Sequence, residues 1–197
     1  LSLPMPDAAS ALGWHEETFR VVRSDAMHPD LAARYPQISS YLILSERNAL
    51  ISGRVDLGDK GFHGIIHTPN GTVYMDPWSP GDHEQLMVYT RAEFMASTGK
   101  RRQDCDVRTM GIGKDGNASG LHELEDGRIT QRIGPPYGPT LRNYALALAC
   151  TGEYGQFHGG NVSSVLSAMN TSINRMNSIA EPELAIRLNL IPNNDLL

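Results

Sequence analysis

The sequence predicts an α+β protein in two unlike parts: a β-rich domain over residues 1–131, a linker at 132–140, and an α/β portion over 141–197. Three observations carry this reading. Short β-branched and aromatic runs recur at hairpin spacing up to about residue 90. The stretch "RIGPPYGPT", residues 132–140, is dense in Pro and Gly and lacks an apolar pattern. Beyond it, an apolar strand leads into a long amphipathic helical pattern.

In chain order, "FRVVRS" (19–24) reads as a strand and "PDLAARYP" (29–36) as a short helix. Pro29 suits the first helical position, and Pro36 stops the helix. The runs "YLILS", "ALISGRVDL", "GFHGIIHT", "TVYMDPW" and "QLMVYTR" then follow as strands broken by Gly, Pro and Asn. Within "GFHGIIHTPNGTVYMDP" (61–77), His63 and His67 stand four positions apart, the spacing of paired zinc ligands on a helix. Gly61 and Gly64 disfavour that helix, while Ile65 and Ile66 suit a strand. Two strand residues so spaced lie about 13 Å apart at about 3.3 Å per residue. A shared zinc needs each imidazole nitrogen within about 2.0–2.1 Å. The segment is therefore a hairpin, turning at Pro69-Asn70-Gly71-Thr72, where Asn-Gly tolerates a type I′ turn. Residues 97–131 are polar and Gly-rich, with little periodicity.

After the linker, "NYALALAC" (143–150) is apolar on both strand faces, the pattern of a strand buried within an α/β sheet. The glycines at 152, 155, 159 and 160 match neither a dinucleotide fingerprint nor a P-loop. From 161 to about 180, Val162, Val165, Leu166, Met169, Ile173, Met176 and Ala180 form one helical stripe, with Ser, Thr and Asn opposite. Pro182 marks the exit, and "ELAIRLNLIP" alternates as a second strand. Strand, helix, strand is a βαβ unit, expected to be parallel and right-handed. Two strands and one helix cannot cover the faces they expose, so this part reads as the opening of a larger domain.

The totals narrow the class. At 197 residues, 40% hydrophobic and 20% charged, the composition is that of an ordinary globular protein. A net charge of −5 argues against nucleic-acid or anionic-membrane partners. No apolar run approaches the roughly 18 residues of a membrane span. The chain opens on Leu rather than Met, consistent with a removed signal peptide. Cys150 ends an apolar run and reads as a small buried hydrophobe. Cys105 sits in "RRQDCDVR", where a thiol would be exposed and its partner would be Cys150, a metal or nothing.

The segment from "LRNYALALAC" through "NTSINRMNSIAEPELAIRLNLIP" resembles the opening of a reprolysin-like zinc metallopeptidase domain of the metzincin group. The N-x-x-N-like run from Asn170 to Asn177 and the E-L-x-I-R-x strand from Glu183 to Leu188 carry the likeness. Upstream, "LSLPMPD", "FRVVRSDAMHPDLAARYPQISSY" and "GFHGIIHTPNGTVYMDPWS" resemble the β-rich propeptide of adamalysin-related precursors. The resemblance implies a secreted zymogen whose propeptide assists folding and covers the active-site cleft of its own catalytic domain. Full-length members hydrolyse peptide bonds in protein substrates with a zinc held by H-E-x-x-H-x-x-G-x-x-H. This sequence lacks that motif: His15-Glu16, His83-Glu84 and His122-Glu123 each lack the second His. In the family order the motif lies beyond residue 197, so the chain by itself is expected to be inactive and to hold no zinc. The resemblance also implies a role for Cys105, as the candidate latency ligand whose thiolate fills the open zinc position. Its surround, Gln103-Asp104-Cys105-Asp106-Val107, departs from Pro-Lys-x-Cys-Gly, and the acidic neighbours raise a thiol pKa. A disulfide with Cys150 and a plain thiol are the alternatives. A rival from another class is a stand-alone β-rich binding or protease-inhibitory module.

Overall fold

The computed structural model describes residues 1–7, 13–98 and 140–197. Cys105, the linker at 132–139 and the basic run at 100–102 lie outside the described residues.

Seven strands form one antiparallel meander in chain order: β1 (Ser2–Pro6), β2 (Trp14–Arg23), β3 (Ser39–Ser45), β4 (Ser52–Gly58), β5 (Gly61–Thr68), β6 (Gly71–Pro77) and β7 (Leu86–Thr90). β1 is hidden from sequence reading by Pro4 and Pro6. Its place at the sheet edge tolerates them, because an edge strand has donors to spare. The pairing of Thr68 with Gly71 makes Pro69-Asn70 the loop between β5 and β6, one residue earlier than expected. Asn70 keeps a negative φ, so the turn is not type I′. Pro69 has its φ fixed near −65°, which suits the first central position of a type I turn. The left-handed conformation falls on Gly71, at φ +127°.

The two faces of this sheet differ in chemistry. Leu3, Met5, Phe19, Ile43, Val55, Ile66, Val73 and Met75 form one buried cluster on one face. A flat sheet with strands about 4.8 Å apart would hold β1 and β6 about 24 Å from each other. Their residues are nonetheless buried in one cluster, because the sheet curls around it. The other face carries Ser40, Arg54, Asp56, His63, His67 and Asp76, and there the long helix lies.

Around the sheet stand α1 (Pro29–Arg34), with Pro29 starting it as read, and α2 (Arg91–Thr98). The last part comprises β8 (Arg142–Leu146), α3 (Gly152–Phe157), α4 (Val162–Leu184) and β9 (Ile186–Leu190). β8 and β9 pair in parallel, Arg142 with Ile186 through Leu146 with Leu190, as the strand–helix–strand reading requires. The fold is thus α+β and mostly sheet.

Four local expectations are corrected. The Gly-rich turn holds α3, with Thr151 as N-cap accepting from the Tyr154 amide. Pro182 does not end α4: it falls in the last turn, and the helix stops at Ala185, which turns left-handed at φ 54°. A proline there removes one backbone donor just before the helix ends anyway. β8 is short and largely exposed, with Tyr144 at 48%, because within the described residues only β9 lies beside it. Cys150, past the end of β8, is exposed rather than buried.

The second apolar cluster joins the parts. Leu166, Met169 and Ile173 of α4 pack with Ala26, Met27, Leu31, Ala32, Ile38 and Leu190. β9 is also stitched to the segment after β2: His28 donates its amide to Leu190, and Leu190 donates to Ala26.

Candidate functional site

An amphipathic helix normally buries its apolar stripe and offers its polar side to water. α4 buries both. Ser167, Asn170, Thr171, Asn174, Asn177 and Ser178 are buried alongside Leu166, Met169 and Ile173, while Val162 and Met176 from the apolar stripe are about half exposed. Most of these polar side chains lie against the polar face of the sheet, while Asn177 exchanges hydrogen bonds with the Leu188 backbone of β9.

The seam runs the length of α4. At its start, Ser163 hydrogen-bonds Asp59 after β4, and Gln37 donates to the Ser163 hydroxyl. Next comes Gly58, where an added Cβ would collide with Ser167 Oγ and stand 3.3 Å from its Cβ. The absent side chain lets the helix approach the sheet. Ser40 then donates to Asn170 at 3.1 Å.

At mid-helix, Asp56 accepts from Thr171 Oγ1 at 2.5 Å and Asn174 Nδ2 at 3.0 Å. Burial pushes the Asp56 carboxyl above the usual range, and these two donors oppose the shift. Arg54, 1% exposed, is held on every side: Nε donates to Asn174 at 2.7 Å, Nη1 to both Glu181 oxygens at 2.9 and 3.0 Å, and Nη2 to the Ser24 carbonyl at 2.6 Å. Burial lowers the Arg54 pKa, and Glu181 counters it. Arg187 of β9 donates to Glu181 at 2.5 Å, so one helix carboxylate bridges a cation on each sheet.

Beside this lies a second cluster. Asp76 accepts from His63 Nδ1 at 2.7 Å, Tyr89 hydroxyl at 2.6 Å and Arg175 Nη2 at 2.5 Å. Burial alone would raise the Asp76 pKa; His63, Arg175 and Tyr89 together hold it below the usual carboxylate range. Burial and then the bond to Asp76 push the Tyr89 phenol above its ordinary value. Tyr89 stacks on Tyr74, over which Arg175 also sits. The carboxylate–imidazole pair has the outline of a general base, but His63, Tyr89 and Arg175 all donate to Asp76 and hold its charge. Its chemistry is that of a structural lock.

His63 and His67 share a strand and a face but take separate partners, Asp76 for the first and Ser178 with Thr72 for the second. Among the described residues, no three His, Cys, Asp or Glu side chains form a metal-holding group. Cys105, the one residue expected to meet a metal, lies outside the described residues. No described helix is long and apolar enough to cross a membrane. Sequence reading missed the seam. Its signals were Arg54 and Asp56 alternating within an otherwise apolar strand, and Ser163, Ser167, Asn170, Asn174, Ser178 and Glu181 recurring every three or four residues.

No protein-family model, curated protein or solved structure matches this chain.

Proposed function

We propose that this chain is the propeptide and first βαβ unit of a secreted zinc metalloendopeptidase precursor. The β-rich part serves as a folding template and cover, and residues 141–197 open the catalytic domain it holds. The observation supporting this reading is the character of the seam. A helix belonging for good to one core buries apolar surface, whereas interfaces between separable units are more polar. α4 meets the sheet through Ser, Thr, Asn and ion pairs, and β8 is largely exposed among the described residues.

The zinc and its ligands belong to the later part of the precursor, where the bound metal would activate the hydrolytic water. Among the described residues, the part proposed for this chain is to position the catalytic domain. Cys105 is proposed as the thiolate that caps the metal in the latent state.

The test is to express the precursor with the reading frame extended past residue 197 and to measure zinc content and hydrolysis of a quenched fluorescent peptide. One zinc per chain, with hydrolysis appearing after removal of residues 1–131 and abolished by a chelator, is the expected result. Cys105→Ala should release activity before that removal. An extended protein without an H-E-x-x-H segment and without zinc would overturn the assignment in favour of a binding module.

A further inference from the structure

The imidazole that faces the seam at its C-terminal half is His67, on β5. Its Nε2 lies 3.2 Å from Ser178 Oγ of α4, and the Ser178 hydroxyl already donates to the Arg175 carbonyl at 2.7 Å. Nε2 must therefore carry the hydrogen and donate. On the other side, Nδ1 lies 3.4 Å from Thr72 Oγ1 and accepts. Both ring nitrogens are thus committed with the ring neutral. His67 borders a groove of about 310 Å³ shared with Ser52, Arg54, Ser178, Glu181 and Pro182.

We propose that His67 is the acid sensor of this seam: a second proton on its ring loosens the C-terminal half of α4 from the sheet. A proton on Nδ1 turns the acceptor that faces Thr72 into a donor. It also adds positive charge to the groove that holds the Arg54 guanidinium. The groove that His67 borders holds Arg54 from β4 and Glu181 from α4, Arg187 of β9 reaches Glu181, and the Arg175 guanidinium is turned to Asp76. Glu181 is the carboxylate lining that groove, and it is already shared by Arg54 and Arg187. Asp76 is likewise shared by His63 and Arg175. Among the described residues, no carboxylate lining the groove is left for a charged His67.

Burial holds the His67 pKa below that of a free imidazole, and its bond to Ser178 offsets part of the effect. The sign follows from linkage. The open state binds the proton more tightly than the closed one, so closure is favoured above about pH 6.5 and weakens as pH falls below it. A single proton limits the change in the opening constant to tenfold per pH unit. Both elements, β5 and α4, belong to this chain, whatever a longer protein does.

The experiment is amide hydrogen exchange of the intact chain between pH 7.5 and 5, corrected for intrinsic rates, read at residues 174–184 and at the sheet cluster around Ile43 and Val55. Exchange at 174–184 should rise by up to tenfold per pH unit below about 6.5 while the sheet cluster stays protected. The midpoint should coincide with the NMR titration of the His67 ring. His67→Gln keeps a donor and an acceptor without the titration and should flatten the rise, while His63→Gln should leave it in place. A flat wild-type profile, a rise steeper than tenfold per unit, or a rise that survives in a folded His67→Gln chain would each overturn the proposal. The wild-type profile and ring titration decide the matter even if the variant fails to fold.

Discussion

At the scale of single residues, stability rests on a few side chains for which no neighbour could substitute. Arg54 is the first. Its five donors are matched by Asn174, Glu181 and Ser24, and almost none of it reaches water. Arg54→Ala leaves Glu181 facing only Arg187 and strands the Asn174 carbonyl, so chemical denaturation should show a loss of about 3–5 kcal/mol. Asp76 predicts a pH dependence. Its folded pKa is depressed, so the stability it confers is present above about pH 3.9 and is lost as pH falls through the carboxylate range. Asp56, with its pKa raised, acts in the opposite sense and softens the acid limb. Urea midpoints measured from pH 6 to 3 should therefore fall, and Asp76→Asn should make that fall shallower. These residues were visible in the sequence as letters but not as a site. Arg54 and Asp56 sit in a strand whose neighbours read as core, and strand alternation alone does not say which face meets a helix more than a hundred residues later.

The elements themselves were more legible. The hairpin strands, α1, the long helix and the parallel β8–β9 pair all follow from local periodicity and punctuation, which sequence carries directly. What failed was tertiary. The apolar stripe of α4 named the helix correctly but not its orientation, because the other side of α4 found a polar partner. Glycines give a test at this scale. Gly58→Val should push α4 off β4 and cost about 1–3 kcal/mol, since Ser167 stands where the new side chain must go. Gly155, inside α3 with nothing within 4 Å of an added Cβ, makes the opposite forecast. Gly155→Ala should raise stability by about 0.5–1 kcal/mol in thermal melts. A Gly58→Val chain with unchanged stability would mean that the helix does not approach the sheet so closely.

For the whole molecule, the two parts read from sequence are bound to each other more intimately than a boundary near residue 136 suggests. Residues 141–197 do not stand apart: α4 lies along the sheet, β9 is bonded to the segment after β2, and Asp195 pairs with Arg34 of α1 at 2.8 Å. Residues 137–197 made alone should consequently be molten or insoluble, because Leu166, Met169 and Ile173 lose α1 and the buried asparagines lose Ser40, Arg54 and Asp56. A peptide of that span that unfolds cooperatively would contradict this. The polar seam, rather than the covalent connection, seats the last part on the sheet. It is tested most directly by co-expressing residues 1–98 and 140–197 as separate chains and weighing the product by light scattering at pH 7.5. A one-to-one pair that Arg54→Ala dissociates is the expected product. Pieces that purify apart, or a pair as tight with Arg54→Ala as without it, would contradict it.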